Sequence, residues 1–286
     1  MGLLFQQFPL VSLKLFDTLV RPILLYASDF WGILKLPKNN PIENIHLMFC
    51  KQLLGVQKQT TNIAVLLELG QIPLSLHGIK MSIKNWERIS LRKRANNLVT
   101  KSYEFAVQEN LNWPNLTRNK LAEIGMMQSF EGGNVIHEKA FLRMKDIFHQ
   151  EAFAAINKES SKLRSYKLIK DKIGLETYLT TVINTNNRKM FSKFRLSNHN
   201  LVIEKGRHLK IDKNRRFCPF FPNHIEDEMH FLLECACYTT HRRVLFDSIN
   251  EKTKINNIQS KNKQELFKDL LSRTDTILHT AQYIFF

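Results

Sequence analysis

Residues 195–243 read RLSNHNLVIEKGRHLKIDKNRRFCPFFPNHIEDEMHFLLECACYTTHRR, and three of the chain's four cysteines fall inside them. Cys218, Cys235 and Cys237 are joined there by His230, with an acidic run, Glu226, Asp227 and Glu228, opening the helical stretch that carries His230. A basic ladder stands just before them: Lys205, Arg207, His208, Lys210, Lys213, Arg215 and Arg216, with Asp212 as its only internal acid. Arg195 and His199 precede the ladder. Upstream of this stretch the apolar residues recur every three or four positions, which is helical spacing.

Zinc takes four soft or borderline donors in a tetrahedron, supplied as two short pairs that one compact loop can bring together. His230-x4-Cys235 makes a good second pair. The first pair is defective. Cys218 is followed by Pro219 and Phe220, but Phe221 stands where a second thiolate is expected, and a phenyl ring cannot ligate a metal. His224 is one substitute, giving Cys218, His224, His230 and Cys235 around one structural zinc; Cys237 is another, separated from Cys235 by Ala236 alone. The opposing reading has no metal. In it Phe217, Phe220, Phe221, Phe231 and Leu232 fill the space as a small apolar core, where cysteine packs as a small hydrophobe.

The charge balance points the same way as the ladder. The 286 residues carry a formal net charge of +16, spread over most of the sequence, which favours a polyanion over an acidic or neutral partner. Beside a folded knuckle the ladder, with Arg195, would track a phosphate backbone, a salt-dependent contact blind to sequence. RNA or DNA is therefore the expected partner. A hydrophobic content of 43% is enough to bury a core and excludes a long disordered chain. Four cysteines in this length make no disulfide framework, and their clustering fits a reducing, intracellular setting, nucleus or cytoplasm. The apolar run from Leu19 to Leu36 is interrupted by Arg21, Pro22 and Asp29, so it reads as core and no membrane partner is expected.

Along the chain, the spacing predicts a mainly α fold: a bundle-like N-terminal helical block with a small knuckle-like α module near the C-terminus. Pro22 should kink or break the first helix. Gly55 and Gly70 should stop the second and third. Leu76, Ile79, Ile83 and Trp86 form an apolar stripe on a long helix, with Lys84, Arg88, Arg92, Lys93 and Arg94 largely off it. Phe30 and Trp31 look placed to plug a core. Four consecutive segments follow: a helical block over 1–112, ended by NLNWPN at 110–115; a helical linker region over 113–194, broken near Gly132-Gly133; the knuckle-like module over 195–246; and a helical tail over 247–286.

Several of these motifs, in this order, resemble one family. RLSNHNLVIEKGR, then Cys218-Pro219, then EDEMHFLLECACY with a following Arg, resembles the C-terminal region of non-LTR (LINE-type) retrotransposon reverse transcriptases, which ends in a C-x2-C…H-x4-C zinc-binding segment. Cys218, His230 and Cys235 match three ligand positions, and Phe221 departs at the second. LFDTLVRPILLYASDFWG, with Asp29 before Trp-Gly, and IENIHLMFCKQLLGVQKQTTNIAVLLELGQIPL are similar to the helical stretches that the family carries after its polymerase palm. The likeness runs from about Phe16 to Arg243. It implies that the 1–112 block is the thumb-proximal, post-palm region, and that an intact protein of the same element is a further partner.

Catalysis is not expected. Two-metal polymerisation needs carboxylates that hold the ions close together, and the sequence has no Asp-Asp pair. No Gly-rich phosphate loop, nucleophile elbow or His-Glu-x-x-His pattern occurs. The resemblance thus implies a non-catalytic remnant that binds RNA or DNA. The alternative is a helical protein-interaction scaffold with no nucleic-acid role, whose mark would be an exposed apolar patch near Phe16 to Trp31.

Overall fold

A computed structural model describes the backbone of every residue except 1, 36, 38–39, 92–97, 129–135, 159–161, 253–260 and 286, and their side chains except 2–4 and 91. The fold is mainly α. Among the described residues no sheet forms, and strand pairing is limited to two isolated bridges, Leu69 with Leu175 and Phe217 with Ile225. None of the described helices is long and apolar enough to cross a membrane. The expected basic residues Arg92, Lys93 and Arg94 and the break at Gly132-Gly133 lie outside the described residues.

The chain divides into two compact units, 14–46 with 72–151, and 1–13 with 47–71 and 152–286. This grouping cuts across the four consecutive segments expected from the sequence. Asn110, at φ 52°, does end the Leu98–Gln108 helix. The chain then enters another helix, Asn112–Glu123, whose Leu121 packs into the same core as Trp86 and Tyr103. Pro114 sits in the first turn of that helix, where its missing N–H is no loss. NLNWPN is therefore a turn inside one unit.

In the unit formed by 14–46 and 72–151, the Leu74–Leu91 helix is the axis. Ile83 and Trp86 are buried as the stripe predicts, Leu76 and Ile79 pack beside them, and Lys84 and Arg88 face outward. Trp86 Nε1 donates to the Tyr103 hydroxyl at 2.9 Å, so the indole is buried without an orphaned donor. The short Ser28–Trp31 helix lies against this axis, and a Cβ on Gly32 would stand 2.1 Å from the Gly78 carbonyl oxygen. Glycine is required there by backbone approach. The expected break at Pro22 is a π-helical turn over Phe16–Val20 followed by a new start at Arg21–Leu24. Phe30 plugs nothing: it is exposed, while Trp31 is half-buried with its Nε1 donating to Tyr26 O at 2.8 Å.

The unit formed by 1–13, 47–71 and 152–286 is built round the helices Asn62–Glu68, Thr185–Arg195, Lys263–Ser272 and Thr274–Phe285. Gly55 and Gly70, at φ 68° and 62°, follow their helices in the left-handed conformation that ends them. Asn184 caps the Thr185–Arg195 helix, its side chain accepting from the N–H groups of Asn186 and Asn187. Arg195, expected at a phosphate backbone, is fully buried, and its guanidinium is held by Glu68, Glu176 and the Leu271 carbonyl. It fastens four segments of the unit together and reaches no surface.

A candidate metal centre and its basic flank

The centre is assembled on a loop whose two ends are pinned. At its entry, the Val202–His208 helix is capped by Glu226, whose Oε2 accepts the Val202 N–H at 2.6 Å. The Ile203 N–H donates to Glu226 O at 3.1 Å. Asp212 caps the turn Lys213–Arg215 by accepting from Asn214 N at 2.8 Å. The chain then runs extended, and successive side chains alternate sides. Arg216 turns inward, Phe217 outward and Cys218 inward. The Phe217–Ile225 bridge fixes that register.

Arg216 is structural. Its Nη1 donates to Ile203 O at 2.9 Å, and its Nε and Nη2 donate to Ile211 O at 3.0 and 2.8 Å. A Cβ on Gly206 would come within 2.7 Å of Arg216 Cγ, so the glycine in the ladder makes room for this side chain. Arg216 thus joins the ladder's helix to the cysteine loop and is spent on backbone carbonyls. It leaves the expected phosphate-binding set with Arg195.

At the exit, Asp227 Oδ1 accepts the His230 N–H at 2.8 Å and starts the π-helical turn His230–Glu234. Arg242 closes that turn, donating to Leu232 O at 3.0 Å and Cys235 O at 2.7 Å. Beneath it Glu228 is fully buried and accepts from Arg164 at 2.7 Å, Ser165 at 2.8 Å and His199 at 2.8 Å. Burial alone would favour its neutral form, but the hydrogen bonds and charges of His199 and Arg164, with Ser165, outweigh it and hold the carboxyl at about 2. The acidic run reads from sequence as a helix opener; that Glu228 also anchors three side chains from two other segments is decided by the tertiary structure.

Between these pins, Cys218, His230 and Cys235 converge, all buried, with their donor atoms within 4.8 Å of one another. The two sulfurs stand 3.9 Å apart. Two thiolates at ~2.3 Å from one tetrahedral ion would stand about 3.8 Å apart. Neither ring nitrogen of His230 has a hydrogen-bond partner, although its Nδ1 is 3.7 Å from a Glu234 carboxylate oxygen. A buried donor or acceptor left unmade costs about 1–3 kcal/mol, which a metal ion on the imidazole would remove. Burial pushes the Cys235 thiol up, and the Cys218 sulfur beside it adds to the rise. The group could hold a metal ion.

The expected four-ligand set is not what the fold brings together. His224 is exposed, and its ring stacks on His230 with centroids 5.7 Å apart and planes 24° from parallel. Cys237 is exposed as well. The apolar mini-core fares worse. Phe217, Phe220 and Phe221 are 43%, 58% and 38% exposed, and Phe231 packs away from them against Phe194, Tyr238 and Tyr283. Of the five residues expected to replace the metal, Leu232 alone is fully buried.

The remaining ladder residues, Lys205, Arg207, His208, Lys210, Lys213 and Arg215, are exposed. Arg207 also pairs with the buried Glu204 at 2.9 Å, which in turn holds Arg164 at 2.9 Å. No family model, no curated protein and no solved structure matches this chain.

Proposed function

We propose that this chain is a non-catalytic nucleic-acid-binding protein, kin to the post-palm and C-terminal region of non-LTR reverse transcriptases. In this reading one structural zinc, held by Cys218, His230 and Cys235, stiffens the loop, and Lys205, Arg207, His208, Lys210, Lys213 and Arg215 meet the phosphates of RNA or DNA. The observation that carries it is the mechanical link between the two. Arg216 ties the helix bearing half the ladder to the extended segment bearing Cys218, so five exposed lysines and arginines, with His208, stand on one pinned frame. A rigid cationic frame contacts a polyanion at little entropic cost.

The test is affinity for RNA and DNA oligonucleotides as a function of salt. Each cation lost by substitution to alanine, Lys210→Ala or Arg215→Ala, should lower the salt slope by roughly 0.7–0.9, the value expected for one phosphate contact. No binding at low salt sinks the reading. Zinc content is a separate measurement: the zinc is absent from the reading if the purified wild-type chain carries none.

A second reading has its own observation. In the unit formed by 14–46 and 72–151, Leu15, Leu19, Ile23, Tyr26 and Phe30 follow one another at helical spacing and are all exposed, Ile23 to 75% and Tyr26 to 81%. A run of large apolar side chains like this marks a protein-interaction face better than a solvated surface. A protein partner there, such as an intact protein of the same element, is compatible with nucleic-acid binding elsewhere on the chain. Ile23→Glu with Tyr26→Glu should abolish any self-association seen by sedimentation and leave the salt slope of nucleic-acid binding unchanged.

A further inference from the structure

The three phenylalanines that fail to form a core are exposed side by side on one loop. Phe217, Phe220 and Phe221 lie within five residues, all exposed, on a loop fixed by the Phe217–Ile225 bridge, by Cys218 N donating to His224 O at 2.7 Å and by Phe221 N donating to Cys218 O at 3.2 Å. Single exposed apolar residues are ordinary, but three aromatic rings held in place beside a cationic ladder are not. Arg215, exposed at the end of the turn Lys213–Arg215, lies two positions before Phe217, so a cation and an exposed ring are close neighbours in the chain. The Phe221 ring is further set by an edge contact with His224, centroids 6.4 Å apart and planes 81° from parallel.

We propose that Phe217, Phe220 and Phe221 form a stacking platform for unpaired nucleobases, so that this module selects single-stranded over double-stranded nucleic acid. The inference rests on the nucleic-acid reading above and adds to it the form of the ligand. The physical argument is one of competing effects. A ladder acting through charge alone binds duplex DNA better, because the duplex has the denser phosphate charge and releases more counterions per contact. A duplex hides the faces of its bases and a single strand exposes them, so rings that stack on bases reverse that order. Charge complementarity identifies the occupant as a polyanion, and the exposed rings identify it as one with accessible aromatic faces.

The experiment uses the full chain, a fluorescein-labelled oligothymidylate, and the same strand annealed to its complement, with binding followed by anisotropy. The wild type should favour the single strand. Phe220→Ala with Phe221→Ala should weaken single-strand binding by about tenfold or more and leave duplex binding unchanged, in line with what loss of base stacking costs elsewhere. Phe220→Trp should keep the preference, and its added indole fluorescence should be quenched by the oligothymidylate. Unchanged helicity by circular dichroism shows that the variants fold, as the exposure of these rings leads one to expect. A wild type that favours the duplex, or alanine variants that bind the single strand as the wild type does, overturns the platform. A wild type that binds neither probe at low salt overturns the nucleic-acid reading itself, so the two failures are distinct.

Discussion

Arg195 Nε donates to Glu68 Oε1 at 2.6 Å, with both side chains withdrawn completely from solvent, and the two residues stand 127 positions apart in the chain. Glu176 Oε2 takes a second guanidinium nitrogen at 2.6 Å, and Lys170 in turn holds Glu176 at 2.5 Å. Two carboxylates, a guanidinium and an ammonium therefore share one largely dry site. Such a cluster is stable only when every member is paired, since each charge was costly to desolvate.

Arg195→Ala should accordingly destabilise the protein by about 3–5 kcal/mol, because it strands Glu68 and Glu176 without their partner. Arg195→Lys should recover little of that, since an ammonium cannot reproduce the fork that spans both carboxylates. Denaturant unfolding measures both. A variant of normal stability with weakened RNA binding would contradict the buried position of this side chain.

Glu228 makes stability depend on acid. Its carboxyl is held at about 2 against an ordinary 4.5, so the folded state binds its proton less readily than the unfolded state does. The stabilisation is fully present above about pH 4.5 and is lost as pH falls toward 2, amounting to about 3 kcal/mol at the upper end. Glu228→Gln should lower stability at neutral pH and flatten the fall between pH 5 and 2. Equal slopes for wild type and variant over that window would rule out this residue as the source.

For the metal centre the expectation is one zinc per chain, released by Cys218→Ser, Cys235→Ser or His230→Ala and retained by Cys237→Ser. Removing it with a chelator should lower the unfolding midpoint, because the ion binds the folded loop and not the unfolded one. His224→Ala separates two possibilities by metal affinity: a marked weakening makes His224 a fourth ligand on metal binding, and no change leaves solvent in that position.

Arg215 and Arg216 are neighbours with opposite duties, and substitution should divide them. Arg215→Ala should reduce the salt slope of nucleic-acid binding with stability unchanged. Arg216→Ala should cost about 1–3 kcal/mol of stability, through the carbonyls of Ile203 and Ile211, with the slope intact. Gly206→Ala should mimic Arg216→Ala in part, because its Cβ would displace the same side chain. The opposite pattern would mean that Arg216, rather than Arg215, faces the phosphates.

The sequence by itself determined the features that depend on residue type and near neighbours. The helix ends at Gly55 and Gly70 were legible because a left-handed residue after a helix calls for glycine. The buried stripe through Ile83 and Trp86 was legible because helical period alone fixes which residues share a face. Cys218, His230 and Cys235 stood out because thiols and imidazole at short spacing have few other uses. Only the tertiary structure decided which side of the protein a charged or aromatic residue would occupy. Arg195, Arg215 and Arg216 are alike as letters, and what separates them is a carboxylate 127 positions away for the first and two backbone carbonyls for the last. Phe217 reads as core by composition, yet an extended chain that turns Cys218 inward must turn Phe217 out. Burial is a property of distant partners and of register, and neither is written in the local spacing.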